Sequence, residues 1–265
     1  MTQDPRRRRL LGITLALASA ASFGVMPVLT KVVYDDGAEP IGVLFVRFGL
    51  AAAALLVIAR LRRDNLPRGR PLLALAALGG IGYVGQSLCY FFALERISAG
   101  LTALLLYFYP ALVVLLGALL LRERPRLVAV LCVAAATVGT ALTIGPVESG
   151  QTFGVVLGLV SALAYALYIL ASSRVRGVGS YASAATVVTA GAVSFGTLAL
   201  LTSPRLPQAP AAWLALVGVA LIGTVVAVTT FFAALALLGP SDTTLSRPSS
   251  RSSASPSQGS SSVSD

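Results

Sequence analysis

Histidine is absent from all 265 residues, which excludes a histidine proton relay and a histidine-based metal site. Cysteine is nearly absent: Cys89 and Cys132 give neither a disulfide framework nor a metal-ligand spacing. Charge is scarce, with Asp, Glu, Lys and Arg together making 11% of the chain. A soluble domain of this size needs far more charge to cover its surface. No acidic residue falls inside the long apolar runs described next, so a proton-coupled mechanism has no obvious carrier. Glu95 and Glu123 lie only at run ends.

What is abundant is apolar sequence, 56% of the chain, with a mean hydropathy of +0.86. A bilayer core of about 30 Å takes about 20 apolar residues per helix. Eight runs qualify, numbered here spans 1 to 8: 11–33, 41–59, 71–94, 98–121, 127–145, 153–172, 181–202 and 211–238. They are rich in Gly and Ala, which lets helix backbones approach closely where lipid supplies no hydrophobic drive between helices. The first run is too long for a signal peptide, lacks a convincing cleavage site, and is followed by seven more. The expectation is an all-α integral membrane protein.

The formal net charge of +10 raises nucleic acid as a partner, but its placement argues otherwise. Arg6 to Arg9 precede span 1. Arg60, Arg62, Arg63, Arg68 and Arg70 separate spans 2 and 3. Arg122, Arg124 and Arg126 separate spans 4 and 5, and Arg174 and Arg176 separate spans 6 and 7. The alternate loops carry Asp35, Asp36, Glu39, Glu95 and Glu148, with Lys31, Arg96 and Arg205 as their cations. This alternation is the positive-inside pattern and puts the N-terminus in the cytoplasm and residues 35–40 outside the plasma (inner) membrane. The expected partners are the lipid bilayer and a small-molecule substrate, not nucleic acid. A homodimer stays open, and no cofactor is expected.

The chain also repeats itself. Ser19-Ala20-Ala21-Ser22-Phe23 is echoed by Ser161-Ala162-Leu163-Ala164-Tyr165 at an offset of 142 residues. Phe91, Ala93 and Leu94 are echoed by Phe232, Ala234 and Leu235 at an offset of 141. Five spans in the first copy are an odd number, so the second enters the bilayer the other way up, an arrangement typical of secondary transporters. The organisation expected is a five-helix repeat over 10–145, an incomplete three-helix repeat over 152–245, and a Ser-rich tail over 246–265.

At the junction of spans 3 and 4 the chain reads FFALERISAGLTALLLYFYPALVVLLGALLLRERP, residues 91–125. This resembles the EamA-type transporters of the drug/metabolite transporter superfamily. There an aromatic-rich end of span 3 leads into an RISAG turn, span 4 carries a mid-helix proline, and a Glu follows; here these are Pro110 and Glu123. ASAASFGVMPVLTK at 18–31 and LGPSD at 238–242 fit the same pattern. The resemblance implies an inverted-repeat bundle of ten spans, of which eight are present, and a permease for small organic metabolites, amino-acid-related compounds or drugs. The chain departs from the pattern after Leu245. Residues 246–265 read either as a native disordered tail or as the product of a shifted reading frame that would otherwise encode a ninth span. An inserted but transport-defective permease is accordingly the alternative function. A membrane-embedded transferase is remote, since it needs a catalytic His or an acidic metal-binding cluster.

Within the spans, Arg47 stands out. A charge at membrane depth is costly, so it faces a cavity or a partner. It either attracts an anionic group of the substrate, or snorkels outward or pairs with a backbone carbonyl. Tyr83, Gln86, Ser87 and Tyr90 fall on one helical face of span 3, a polar stripe that either lines a substrate path or bonds helix to helix. Tyr107, Tyr109 and Pro110 in span 4 are similar. Pro110 removes a backbone bond and is expected to kink the helix. Tyr165 and Tyr168 in span 6 complete the set. Lys31 is expected to snorkel to headgroups and Trp213 to anchor span 8 at the interface. Glu123, between Arg122 and Arg124, is either a gating ion pair or an exposed loop charge worth little.

Overall fold

A lipid environment offers no water to free backbone groups, so apolar segments satisfy their own hydrogen bonds as helices. The computed structural model describes residues 5–121, 131, 134–135, 138–139, 151–175 and 177–238, and every regular element in them is helical. Seven helices are long and apolar enough to cross a membrane: Arg9–Asp35, Pro40–Leu61, Arg70–Arg96, Ala99–Leu119, Thr152–Ser172, Ser180–Thr202 and Pro210–Phe231. These are spans 1 to 4 and 6 to 8, and the chain is a multi-pass membrane protein. The count among the described residues is therefore seven rather than the eight expected. Apart from a few helical positions, span 5 lies outside the described residues, as do Cys132, Glu123 with its flanking arginines, Glu148 and the tail from 246.

Local chemistry explains the boundaries. Spans 2, 3 and 8 each carry a proline in the first turn (Pro40, Pro71 and Pro210), where the missing N–H has no helical partner to lose. The short turn into span 4 works because Ile97 is extended and Ser98 caps the new helix, its hydroxyl accepting from the Leu101 N–H at 3.2 Å. Span 4 is broken as its proline demands: one helix covers Ala99–Leu106 and a second Tyr109–Leu121. Pro110 cannot donate to the Leu106 carbonyl, and the helix lapses into a turn at Tyr107 and Phe108.

Asp36 and Asp64 mark opposite ends of the bundle. At the first, the Asp36 carboxylate accepts from the backbone N–H groups of Gln208 and Ala209 at 2.5 and 2.9 Å, capping span 8 in trans. At the second, Asp64 sits against Gly179, the residue that opens span 7. Span 1 thus runs toward the Asp36 end, while span 6 starts there, its Gly154 packed on Arg96 and Ile97. The two copies are antiparallel. The closest helix pairs are 1 with 8, 2 with 7, and 3 with 6. Exchanging 1 for 6, 2 for 7 and 3 for 8 turns this set into itself, as a two-fold axis between the copies requires.

The exchange extends to detail. Span 3 passes through a π-helical turn at Leu78–Tyr83 and span 8 through one at Leu221–Val226, an offset of 143 residues. Ser161 of span 6 donates to the Gln86 carbonyl of span 3 at 3.1 Å, and Ser19 of span 1 donates to the Ala227 carbonyl of span 8 at 2.8 Å. The core between the copies combines large rings, Phe48, Phe91 and Phe195, with small residues such as Ala51, Ala182 and Ala185. Backbones come close at glycine: a Cβ on Gly79 would collide with the Val187 carbonyl of span 7.

Candidate functional site

Arg47 lies seven residues into span 2, about 10 Å below its Asp36 end at the helical rise. It is buried, with 3% of its surface exposed. Its Nε donates to Thr224 Oγ1 at 2.9 Å, and Thr224, in the π turn of span 8, donates in turn to the Val219 carbonyl five residues earlier. The guanidinium carbon stands 5.3 Å from the Phe48 ring centre and 5.2 Å from that of Phe91. Two aromatic faces thus hold a cation at membrane depth. The snorkelling alternative is not what the geometry shows, since the partner is a side chain of the other repeat.

A ladder of rings crosses the bundle from this point. Phe195 of span 7 meets Phe48 at 4.8 Å, Phe48 meets Tyr83 at 5.5 Å, and Tyr83 meets Tyr168 at 5.5 Å. Tyr168 stacks on Tyr165 at 6.0 Å, and Tyr165 meets Tyr109 edge-on at 4.8 Å. Five spans from both repeats contribute. The rings sit at the offset and tilted geometries that aromatic quadrupoles prefer. Tyr90, itself 3% exposed, has its ring 5.8 Å from that of Phe91.

The expected residues therefore converge, though not all in one role. Tyr83, Tyr109, Tyr165 and Tyr168 form the ladder, and Tyr90 packs on Phe91, one of the rings against Arg47. Gln86 and Ser161 are buried and bonded to each other, Gln86 Nε2 donating to Ser161 Oγ at 3.1 Å. Ser87 donates to Gln86 Oε1 at 3.3 Å. This polar trio ties span 3 to span 6. Tyr107 is 56% exposed at the break in span 4, and Pro110 is exposed beside it. Sequence reasoning missed Thr224, Phe48, Phe91, Phe195 and Ser161 as members. Ser161 stood in the echoed motif opposite Ser19, and that was the available signal; nothing local marks Thr224.

Both ends of the bundle carry a recess. The one at the Asp36 end encloses about 370 Å³ and is lined by Lys31, Tyr34, Asp35, Gly37, Ala38, Glu39, Glu95 and Arg205. Tyr34, in the lining of this recess, donates to the carbonyl of Phe91, whose ring lies against Arg47, at 3.1 Å. Glu39 and Arg205 form an exposed ion pair at 3.3 Å across the rim. The recess at the other end is about 460 Å³, lined mainly by Leu15, Ile58, Leu61, Arg62 and Tyr181 with span 8 residues such as Thr229. Arg62 lies over the Tyr181 ring there at 5.1 Å.

The model of the EamA-like transporter family matches residues 10–145 and again residues 152–249. An uncharacterized transporter from Archaeoglobus fulgidus is 28% identical over 165 residues. That alignment takes in 62% of this chain and 57% of the relative, so the chain spans little more than half of the relative's length. A solved crystal structure superposes with a TM-score of 0.62 at 24% identity, over 86% of this chain and 78% of that one, and shares the fold.

Proposed function

The chain belongs to the EamA-like transporter family, and on that premise we propose that it is a permease that carries small organic metabolites or drugs across the plasma membrane by alternating access. The observation that carries the reading is the self-mapping of the helix pairs, 1 with 8 onto 6 with 3, about the self-paired spans 2 and 7. Two antiparallel halves related in this way can exchange conformations, so that a site between them opens first to one face and then to the other. The residues between them are Arg47, Tyr83, Gln86, Ser87, Tyr90, Tyr107, Tyr109, Pro110, Tyr165 and Tyr168, the substrate path in this reading.

The Asp36 end is taken as external, with the N-terminus in the cytoplasm. Its closing contacts suit a gate. The Glu39–Arg205 pair is solvent-exposed, and such pairs contribute about 0–1 kcal/mol. The contacts across this rim are loop-to-loop and can part without disturbing the apolar core. No catalytic residue enters the reading.

Transport by the full chain in proteoliposomes tests the function. Protein-dependent efflux of a compound from a metabolite and drug panel is expected, and absence of flux across a broad panel counts against it. Orientation is tested separately with Asp36→Cys and an impermeant thiol reagent on intact cells. Labelling should occur without lysis; labelling only after lysis reverses the topology.

A further inference from the structure

Arg47 is a buried cation without a counter-ion among the described residues. Their two ion pairs are Arg96 with Glu95 and Arg205 with Glu39. The Nε of Arg47 is committed to Thr224. Phe48 and Phe91 occupy positions over the guanidinium. Its two terminal nitrogens donate to no described residue. Burying an unpaired charge is unfavourable unless something neutralises it, and two aromatic faces do so only in part. The free edge of the guanidinium is a planar fork of N–H groups whose spacing matches the two oxygens of a carboxylate.

We propose that the terminal nitrogens of Arg47 form the recognition point for a carboxylate, so that the molecules carried are small organic anions. This rests on the permease reading and names the substrate class of the same site. Thr224 is a positioning residue. By accepting from Nε it fixes the plane of the guanidinium and leaves the opposite edge presented. Because Thr224 belongs to the second repeat and Arg47 to the first, the carboxylate grip is assembled only when spans 2 and 8 are in contact.

The test uses the full chain in detergent and in proteoliposomes. Lactate, benzoate and indole-3-acetate are each compared with the corresponding amide, by ligand-induced thermal stabilisation and by efflux. At least one carboxylate should bind roughly tenfold to hundredfold more tightly than its amide, the range for a lost charge-assisted hydrogen bond. Arg47→Gln should abolish that discrimination. Arg47→Lys keeps the buried charge, guards against a variant that merely fails to fold, and should retain only part of it, since an ammonium cannot grip bidentately. Thr224→Val should weaken carboxylate binding several-fold and leave amide binding unchanged, and Thr224→Ser should restore it. Equal response to acids and amides, or discrimination that survives Arg47→Gln, overturns the assignment. Carboxylate binding without flux refutes the permease reading and leaves the site standing. Flux of neutral or cationic compounds with no preference for acids does the reverse.

Discussion

Spans 3 and 8 occupy equivalent places in the two repeats and carry different side chains there. Both pass through a π turn, Leu78–Tyr83 and Leu221–Val226, and both receive a serine hydroxyl on a carbonyl, Gln86 from Ser161 and Ala227 from Ser19. At those matched points, however, span 3 has the Gln86 amide and, three residues before it, the Tyr83 ring, whereas span 8 has the Ala227 methyl and, three residues before it, the Thr224 hydroxyl. Spans 2 and 7 show the same split: the position 142 residues after Arg47 is Thr189, whose buried hydroxyl has no partner among the described residues. Backbone contacts and π turns are common to both halves because both must pack against the same inverted neighbours. The side chains at matched positions differ and are complementary around Arg47: the arginine stands in the first repeat and the threonine that accepts from it in the second.

Glycine substitution breaks this comparison most severely. A Cβ at Gly79 meets the Val187 backbone carbonyl, whereas one at Gly223 meets the Met26 Cβ at 2.8 Å, which is tied to its backbone but is a single carbon against which the turn can shift slightly. Gly79→Ala is expected to cost about 3 kcal/mol, the upper part of the overpacking range, and Gly223→Ala about 2 kcal/mol. Equal losses in thermal melting would show that the two π turns are packed alike. The serines come next. Ser161→Ala removes a carbonyl bond and also strands the Gln86 amide, for about 2 kcal/mol, while Ser19→Ala removes a single bond for about 1 kcal/mol. A Gln86→Ala, Ser161→Ala double mutant should recover part of the difference, and strict additivity would argue against the shared network.

At the Asp36 end the effects are smaller. Asp36→Ala uncaps span 8 and should lower stability by about 1 kcal/mol. Glu39→Gln should cost under about 1 kcal/mol, a difference that disappears in high salt because both partners are exposed. A salt-independent loss would mean the pair is sealed from solvent. The smallest effect is expected at Thr189→Val. Replacing an unpartnered buried hydroxyl with a methyl should be neutral or slightly stabilising. A clear loss of melting temperature there would reveal a partner for Thr189 and a second polar point opposite Arg47.

Hydropathy, proline placement and the 141–142 residue echo are local or periodic properties, so the spans, the broken fourth helix and the inverted arrangement were all legible before any coordinates. So were most polar residues of the candidate site, because a Tyr, Gln or Arg inside an apolar run is conspicuous by contrast. Their partners were not legible. Phe48, Phe91 and Phe195 look like any other apolar residue in a span, and Thr224 forms part of the Arg47 environment only because span 8 lies against span 2. The choice for Gln86 between lining a path and bonding helix to helix was equally closed to sequence. Its bond to Ser161 depends on which faces of spans 3 and 6 meet.

The sequence by itself determined that this chain lives in a bilayer, where its helices begin and break, and that its second half inverts its first. Each follows from the cost of exposing backbone or charge to lipid, which is paid residue by residue along the chain. Only the tertiary structure decided which rings stack into a ladder, that a threonine of one repeat holds the arginine of the other, and that the arginine's terminal nitrogens donate to no described residue. Those depend on the register between helices nearly 180 residues apart in sequence, as Arg47 and Thr224 are, and no local pattern encodes that register.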